Sequence, residues 1–552
     1  VIDLRDPTKP QLITQIQSGE VLPGSSINSV AVHEGTIALA IQAPVKTDPG
    51  RVALYLARDL RLLGSATVGA LPDMVTFTPD GKTVLAANEG EPSDDYQVDP
   101  EGSISIIDVR KPSRMTVRTA DFRAFNGQEA ALRAKGVRIY GPGANAAKDL
   151  EPEYIALSKD GHTAWVTLQE NNALAKVDVK TAKVTDILPL GFKDHGAAGN
   201  ELDVSDNDGK TINIKTWPGV FGMYQPDAMS SYTVKGKTYL VTANEGDARA
   251  WGEDNPLYWG TKASATTPAI PGDASKGFVE EFRVKHLINK SGWSGREFDD
   301  LPPQLKALAV GGLLNPAIFG YCGAIAGDPK DCRKDEQLGR LNITWTMGYQ
   351  TNADGSPMLF SAAGVEDPTG NRLMYDKLYS YGARSFSIWD ESGGLVWDSG
   401  AEIEKFLASA DCWLGSARNI PCADFFSSGH NEGNAKDSRS DAKGPEPEGI
   451  ALGTLGAKTF AFIGLERMGG VLVYDITNPQ APVRVDYLNT REDWLKNPKD
   501  AAAAGRLADI GDLGPEGLVF VPAKDSPNGK PLLIVGNEVS GTTAVLQLNQ
   551  RY

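Results

Sequence analysis

The sequence predicts an all-β chain folded as a β-propeller of seven recognisable blades, or eight, with four antiparallel strands per blade and long loop insertions. Three observations predict it. A unit of roughly 40 to 80 residues recurs along the chain, the period of propeller blades. Within each unit the strands are short, alternate apolar with polar residues, and are parted by Gly, Asp, Asn and Pro turns. Five units share one acidic signature: a proline followed by an acid opens a strand, and 16 to 22 residues later the next strand ends in a second acid. Length alone suggests three or four domains, but the repeat overrides that prior, so residues 1–552 read as a single domain.

The elements follow in order. Residues 1–16, VIDLRDPTKPQLITQI, resemble residues 473–488, the outer half of a blade, and are expected either to complete the last blade or to belong to an eighth. A weaker blade without acids comes next, from residues 28–42 with 51–56. The acid hairpins then pair Asp73 with Glu89, Glu153 with Glu170, Asp227 with Glu245, Glu448 with Glu466 and Glu516 with Glu538. Third strands follow at 102–109, 172–179, 384–390, 469–476 and 542–548. A second weak blade is read from 341–347 through 385–390 to 394–400, which brings the repeats to seven. Insertions are expected at about 185–225, 250–340 and 401–444, and helical patches such as EDWLKNPKDAAAAGRLADI fall in loops between blades.

Two antiparallel strands joined by a turn place the start of one beside the end of the other. Each acid pair therefore lies at one end of its hairpin. In a radial array all five pairs face one opening, where ten carboxylates would repel one another unless cations sat among them. Many oxygen ligands with few histidines suit hard cations, calcium first, in several copies, with ferric iron also able to accept carboxylates. Cationic residues near the ring are Arg249 in ANEGDAR, Arg467 directly after Glu466, and Arg384 in YGARSF, the last in a blade read as lacking the acid pair. A guanidinium grips phosphate or carboxylate through two N–H donors, or else pairs with a ring acid. His195 and His430 lie in glycine-rich loops and are candidates for the entrance, whereas His33, His162 and His286 are read without a special role. DVSDNDGK at 203–210 resembles a calcium loop whose alternate-acid register is broken by Val204, and GEPSDDYQVDPEG at 90–102 reads as an ion loop or a solvated one.

Composition narrows the class. Apolar residues make up 41% and the net charge is −16, with no basic run to attract nucleic acid or an anionic membrane. No apolar stretch approaches the 18 residues of a transmembrane helix, and a monomer is expected. The four cysteines, Cys322, Cys332, Cys412 and Cys422, form two pairs of equal spacing. Two local disulfides are the expected reading, and with them the periplasm or the extracellular space. No Walker loop, GxSxG elbow or Rossmann fingerprint is present, so any chemistry is expected to be metal-centred.

The stretches DLEPEYIALS, WVTLQENNALAKVD, YQPDA, VTANEGDAR, GARSFSIWD and GPEGL resemble those of the bacterial exported propellers called choice-of-anchor I proteins, and the likeness runs along essentially the whole chain. Some members are described as atypical alkaline phosphatases, and a more distant similarity is to PhoX-type alkaline phosphatases, propellers whose channel acids hold an iron–calcium cluster. By that resemblance the ten paired acids are metal ligands and the substrate is a small phosphate monoester, with Arg249, Arg384 and Arg467 steadying its equatorial oxygens. PhoX-type enzymes also place a cysteine thiolate on iron, and no cysteine here lies in a blade motif. Two other classes remain open: a calcium-dependent lactonase or esterase propeller, and a non-enzymatic extracellular module rigidified by calcium.

Overall fold

Alternation of apolar and polar residues turns each acid-tagged segment into a hairpin, and each hairpin acquires outer strands from the residues that follow. The computed structural model describes residues 1–143, 145–261, 263–288, 301–325 and 331–549. Among these, six antiparallel sheets follow one another. The first contains Ser26–His33, Thr36–Gln42, Pro49–Leu56 and Arg61–Ala70. The second contains Pro72–Phe77, Thr83–Asn88, Ser103–Asp108 and Thr116–Asp121, and the third Pro152–Leu157, Thr163–Leu168, Ala173–Asp178 and Lys183–Pro189. The fourth joins Met229–Val234 and Lys237–Asn244 to the distant strands Ser385–Asp390 and Leu395–Asp398. The fifth runs over Pro447–Leu455, Lys458–Leu465, Val471–Asp475 and Val483–Leu488; the sixth has three strands, Pro515–Val521, Leu532–Asn537 and Thr542–Gln547.

Each sheet packs face to face on the next. Ala38, Val52 and Leu54 of the first meet Val75, Val84 and Ala86 of the second. Leu85 and Ile106 of the second meet Ile155 and Val166 of the third. Trp165 and Leu174 then pack on Leu240 and Trp389 of the fourth, Phe386 and Ile388 on Ile463 and Leu472 of the fifth, and Phe460 and Phe462 near Leu533 and Val535 of the sixth. Burying such side chains contributes roughly 1.5–3 kcal/mol each, and the two buried indoles find acceptors, Trp165 in the Glu391 carbonyl at 3.1 Å and Trp389 in the Thr242 hydroxyl at 2.9 Å. The architecture is all-β and propeller-like. First strands of five sheets line one cavity of about 940 Å³, with Thr76, Tyr154, Ser231, Leu452 and Phe520 in its wall.

The segment 341–400 is not a separate blade. Ser385–Asp390 is the third strand of the sheet that begins with the Asp227 hairpin, pairing Asn244 with Ser385 and Tyr239 with Asp390. Arg384 therefore belongs to a sheet that carries an acid pair. Residues 245–384 between the second and third strands hold a five-stranded sheet of their own with Phe192–Asp194 and Val220–Met223, and Asn342–Thr344 lies in it. The amino terminus also differs from expectation: Ile2–Asp3 pairs with Gln11–Leu12, not with the last sheet. Among the described residues no helix is long and apolar enough to cross a membrane.

Both cysteine pairs are disulfides, Cys322–Cys332 and Cys412–Cys422, each within an insertion. Closing a loop of ten residues restricts the unfolded chain by about 2–3 kcal/mol. Replacing Cys412 and Cys422 together by Ser is expected to lower the thermal midpoint by a few degrees; a denaturation scan with an unchanged midpoint would contradict it.

Candidate metal centre

The backbone explains why the acids converge. In four of the five acid hairpins the pairing register slips by one residue at the acid: between Pro72 and Val75, Pro152 and Ile155, Pro447 and Ile450, and Pro515 and Gly517. A bulge of this kind re-aims a side chain, here away from the alternating face. The residue before the proline adopts a left-handed backbone at Leu71, Gln225, Glu446 and Gly514, with φ of 48°, 40°, 54° and 70°. Three of these are not glycine, so the turn stores strain. Backbone N–H groups at the far strand end close it: Glu89 donates to the Leu71 carbonyl at 2.9 Å, Glu466 to Glu446 at 2.8 Å, and Glu538 to Gly514 at 2.8 Å. The preceding asparagines lock that strand end sideways. Asn88 donates to Ser103 and Ser105, and Asn244 to Ser385 and Ser387. The first sheet has the same slip between Ile27 and Ser29 but carries the uncharged amides Asn28 and Gln42 where the acids stand elsewhere, and Asn28 donates to the Gln42 Oε1 at 3.2 Å.

Three groups of carboxylates result, in each of which one oxygen per residue lies within 4.8 Å of the others: Glu89 with Glu153 and Glu170; Asp227 with Glu245 and Glu448; Glu245 with Glu446 and Glu466. Seven of them, and Glu446, stem from the second to fifth sheets. Asp73 stands outside these groups but its charge is felt by Glu153, Asp227 and Glu516. Glu516 and Glu538 are exposed at the edge of the ring. Buried oxygens without a partner point to a missing ligand: Glu151 Oε1, Glu153 Oε2, Glu170 Oε2 and Glu448 Oε2. Burial comes first in raising the carboxyls, and neighbouring carboxylates add to it at most of them. Asp73 rises to about 6, Glu170 to about 8 and Glu466 to about 9, and Glu89, Glu153, Asp227 and Glu448 stand well above the ordinary range. Hard cations fit this donor set. A thiolate-bound iron does not, because all four cysteines are in disulfides.

The cations are distributed unevenly. Lys443 Nζ lies 2.6 Å from Glu245 and 3.0 Å from Glu446; Arg467 Nε lies 3.2 Å from Glu446 and 3.0 Å from Glu466; Arg439 reaches Glu446 at 2.6 Å. Burial works against ionisation of Glu446, but these three cations prevail and hold its carboxyl far below the usual range. His430 accepts from Arg467 on Nε2 at 3.1 Å, which leaves the proton on Nδ1, 3.3 Å from Glu466. Burial lowers it to about 4, so the ring is neutral at pH 7. Arg249 is spent elsewhere, on Asp149 at 2.6 Å and Glu151 at 3.0 Å, and is 1% exposed. Arg384 donates to Glu404 and to the Asp203, Ser440 and Ala442 carbonyls. Neither guanidinium faces the ring acids with a free edge. His195 is buried, its Nδ1 against the Asn200 carbonyl at 2.7 Å, and lines no entrance. In the loop at 90–102, Glu91 forms an ion pair with Lys46 at 3.0 Å.

The residues missed from the sequence are Glu446, Glu151 and Lys443. A signal was present: the acid two places before the hairpin acid in the repeated Glu-Pro-Glu of 151–153 and 446–448.

An all-β protein with two disulfides and a largely buried cluster of carboxylates is the class these features define. The chain belongs to the choice-of-anchor I domain family, whose model matches residues 1–296 and 328–479. Among curated relatives, Gigasin-3a of Magallana gigas is 29% identical over 175 residues, 32% of this chain and 58% of that protein. The mesenchyme-specific cell surface glycoprotein of Strongylocentrotus purpuratus is 27% identical over 382 residues, 65% of this chain and 40% of that protein. The chain thus spans less than two thirds of either relative's length. Among solved structures, Kuenenia stuttgartiensis hydrazine synthase matches at 13% identity and a TM-score of 0.33, over 97% of this chain and 98% of that one. The Cps50 β-propeller domain of Myceliophteria thermophila matches at 8% identity and 0.27, over 44% and 59%. The cell-surface relative and the two disulfides are consistent with an extracellular setting.

Proposed function

We propose that the six sheets are blades of a propeller whose carboxylate ring holds calcium-class cations, and that this centre hydrolyses small phosphate monoesters outside the cytosol. The observation that supports it most is the set of three carboxylate groups with buried oxygens lacking partners. Bound cations would neutralise the phosphoryl oxygens and lower the pKa of water. The chain's own residues do the rest. Lys443 and Arg467, at the border of the second and third acid groups, orient the anion, taking the part first read for Arg249 and Arg384. Neutral His430 accepts from Arg467 on Nε2 at 3.1 Å and so braces that guanidinium beside Glu466. The cavity of about 940 Å³ reaches Met74, Tyr154 and Ile450, next to or near Asp73, Glu153 and Glu448, and is wide enough for a small ester.

Hydrolysis of p-nitrophenyl phosphate at alkaline pH, with calcium and ferric iron supplied and then chelated, tests this reading. Glu170→Gln and Glu245→Gln are expected to reduce turnover at least a hundredfold and to shed cation while the fold survives. Full activity in either variant would remove the ring as the catalytic centre.

A second reading, a calcium-rigidified binding module without turnover, is favoured by burial: Glu153 and Glu466 are only 6% and 4% exposed, which limits access. Tight cation binding without hydrolysis of any phosphoester would select it.

A further inference from the structure

A second acidic site lies apart from the ring, where the loop around residues 203–213 meets the insertion 401–444. Asp437 is fully buried and its backbone is left-handed, with φ of 69°. Backbone hydrogen bonds fix it: its N–H donates to the Phe426 carbonyl at 2.6 Å, and the neighbouring Arg439 N–H donates to Ser427 at 2.9 Å. One carboxylate oxygen accepts from the Ser440 hydroxyl; the other, Oδ2, has no partner. The hydroxyls of Ser427 and Ser428, each 1% exposed, also lack partners. Three buried oxygens within one backbone-paired turn are therefore unsatisfied, an arrangement that costs stability unless something is bound.

The opposite wall is Asp203, which is fully buried too. Its oxygens accept N–H groups from Ser205 at 3.3 Å and Asn213 at 2.6 Å, leaving lone pairs over. Arg384 clamps the two walls together by donating to the Asp203 carbonyl at 2.7 Å and the Ser440 carbonyl at 2.6 Å. Its charge is taken up by Glu404 at 2.7 Å. The charges of Asp203, Asp208 and Asp206 all act on Asp437, while Asp206 is held by Arg340 at 2.6 Å. Burial raises Asp437 to about 8.

We propose that Asp437, with Asp203 and the Ser427 and Ser428 hydroxyls, binds one calcium-class cation that fastens the 203–213 loop to the 401–444 insertion. Two carboxylates, two hydroxyls and nearby carbonyls match the all-oxygen coordination of calcium. The site carries no reaction; its role is to hold the insertion that supplies Lys443 and His430 to the ring and leads into Glu446. Val204 breaks the acid register of the sequence because the ligand that completes the site comes from a different loop, at Asp437.

Calcium stoichiometry by native mass spectrometry, read beside hydrogen exchange of residues 426–440, tests the proposal. Asp437→Asn is expected to lose one ion, and Glu170→Gln to retain that ion while losing from the ring. Calcium should slow exchange in 426–440 at least tenfold in the unmodified protein and in Glu170→Gln, but not in Asp437→Asn. An unchanged ion count and unchanged calcium-dependent protection in Asp437→Asn would overturn the site. Should Asp437→Asn fail to fold, the unmodified protein decides: no calcium-dependent slowing in 426–440 overturns it equally.

Discussion

Chelation of a calcium-loaded sample is expected to lower the thermal midpoint by several degrees at pH 8 and by little at pH 5. Burial has raised Glu170 to about 8 and Glu466 to about 9, against ordinary carboxyls near 4. Between these values the cation-free folded chain binds more protons than the unfolded chain, so its stability falls as pH rises from about 4 to about 9. Below that window both states are protonated and the groups contribute no pH slope. A bound cation replaces the protons and removes the slope. Each site filled at a hundred times its dissociation constant adds about 2.7 kcal/mol, and the effect grows with the number of ions. Calcium binding at pH 7 should also release protons, measurable by calorimetry in buffers of different ionisation enthalpy. A flat midpoint between pH 5 and 9 in chelator, with no effect of calcium, would dispose of the buried ring as a cation centre.

Arg249→Met is expected to be among the most destabilising single changes in the chain. The guanidinium, 1% exposed, faces Asp149 and Glu151, themselves 0% and 1% exposed. Removing it leaves two buried carboxylates without their partner, a loss of about 3–5 kcal/mol. Arg467→Met should behave differently. Its side chain is 23% exposed, and Lys443 and Arg439 still neutralise Glu446, so the midpoint should move by only a degree or two while phosphoester turnover falls at least tenfold. Equal loss of stability in the two variants would show that Arg467 is a structural ion-pair partner like Arg249. Urea denaturation of both proteins alongside the phosphatase assay separates the outcomes.

Much of the fold was legible because hairpins are local. Pro-acid openings, alternation and turn residues placed the paired strands of the second to sixth sheets, and both disulfides followed from spacing. What failed was giving one strand to two blades. Residues 384–390 read both as the third strand after the Asp227 hairpin, which their pairing with Lys237–Asn244 bears out, and as part of a blade of their own, which it excludes. Reading 341–400 as its own blade, with Arg384 outside the acid hairpins, came from that. The ring acids were visible as types and positions. Their reorientation was not, since the left-handed turns fall at Leu71, Gln225 and Glu446, residues that give no sign of it. Nor could spacing show that Arg249 and Arg384 are consumed by Asp149, Glu151 and Glu404, because those partners are brought in by tertiary packing.

The acid-free first sheet separates scaffold from chemistry. Its backbone makes the same one-residue slip as its neighbours, yet the uncharged Asn28 and Gln42 occupy the two decisive places. The bulged hairpin is thus a socket that exists without its plug, and ion binding is not what shapes it. A family built this way can gain or lose coordinating groups one hairpin at a time, through two substitutions and no change of chain path, so relatives that share the architecture need not share the number of ions, or bind any at all.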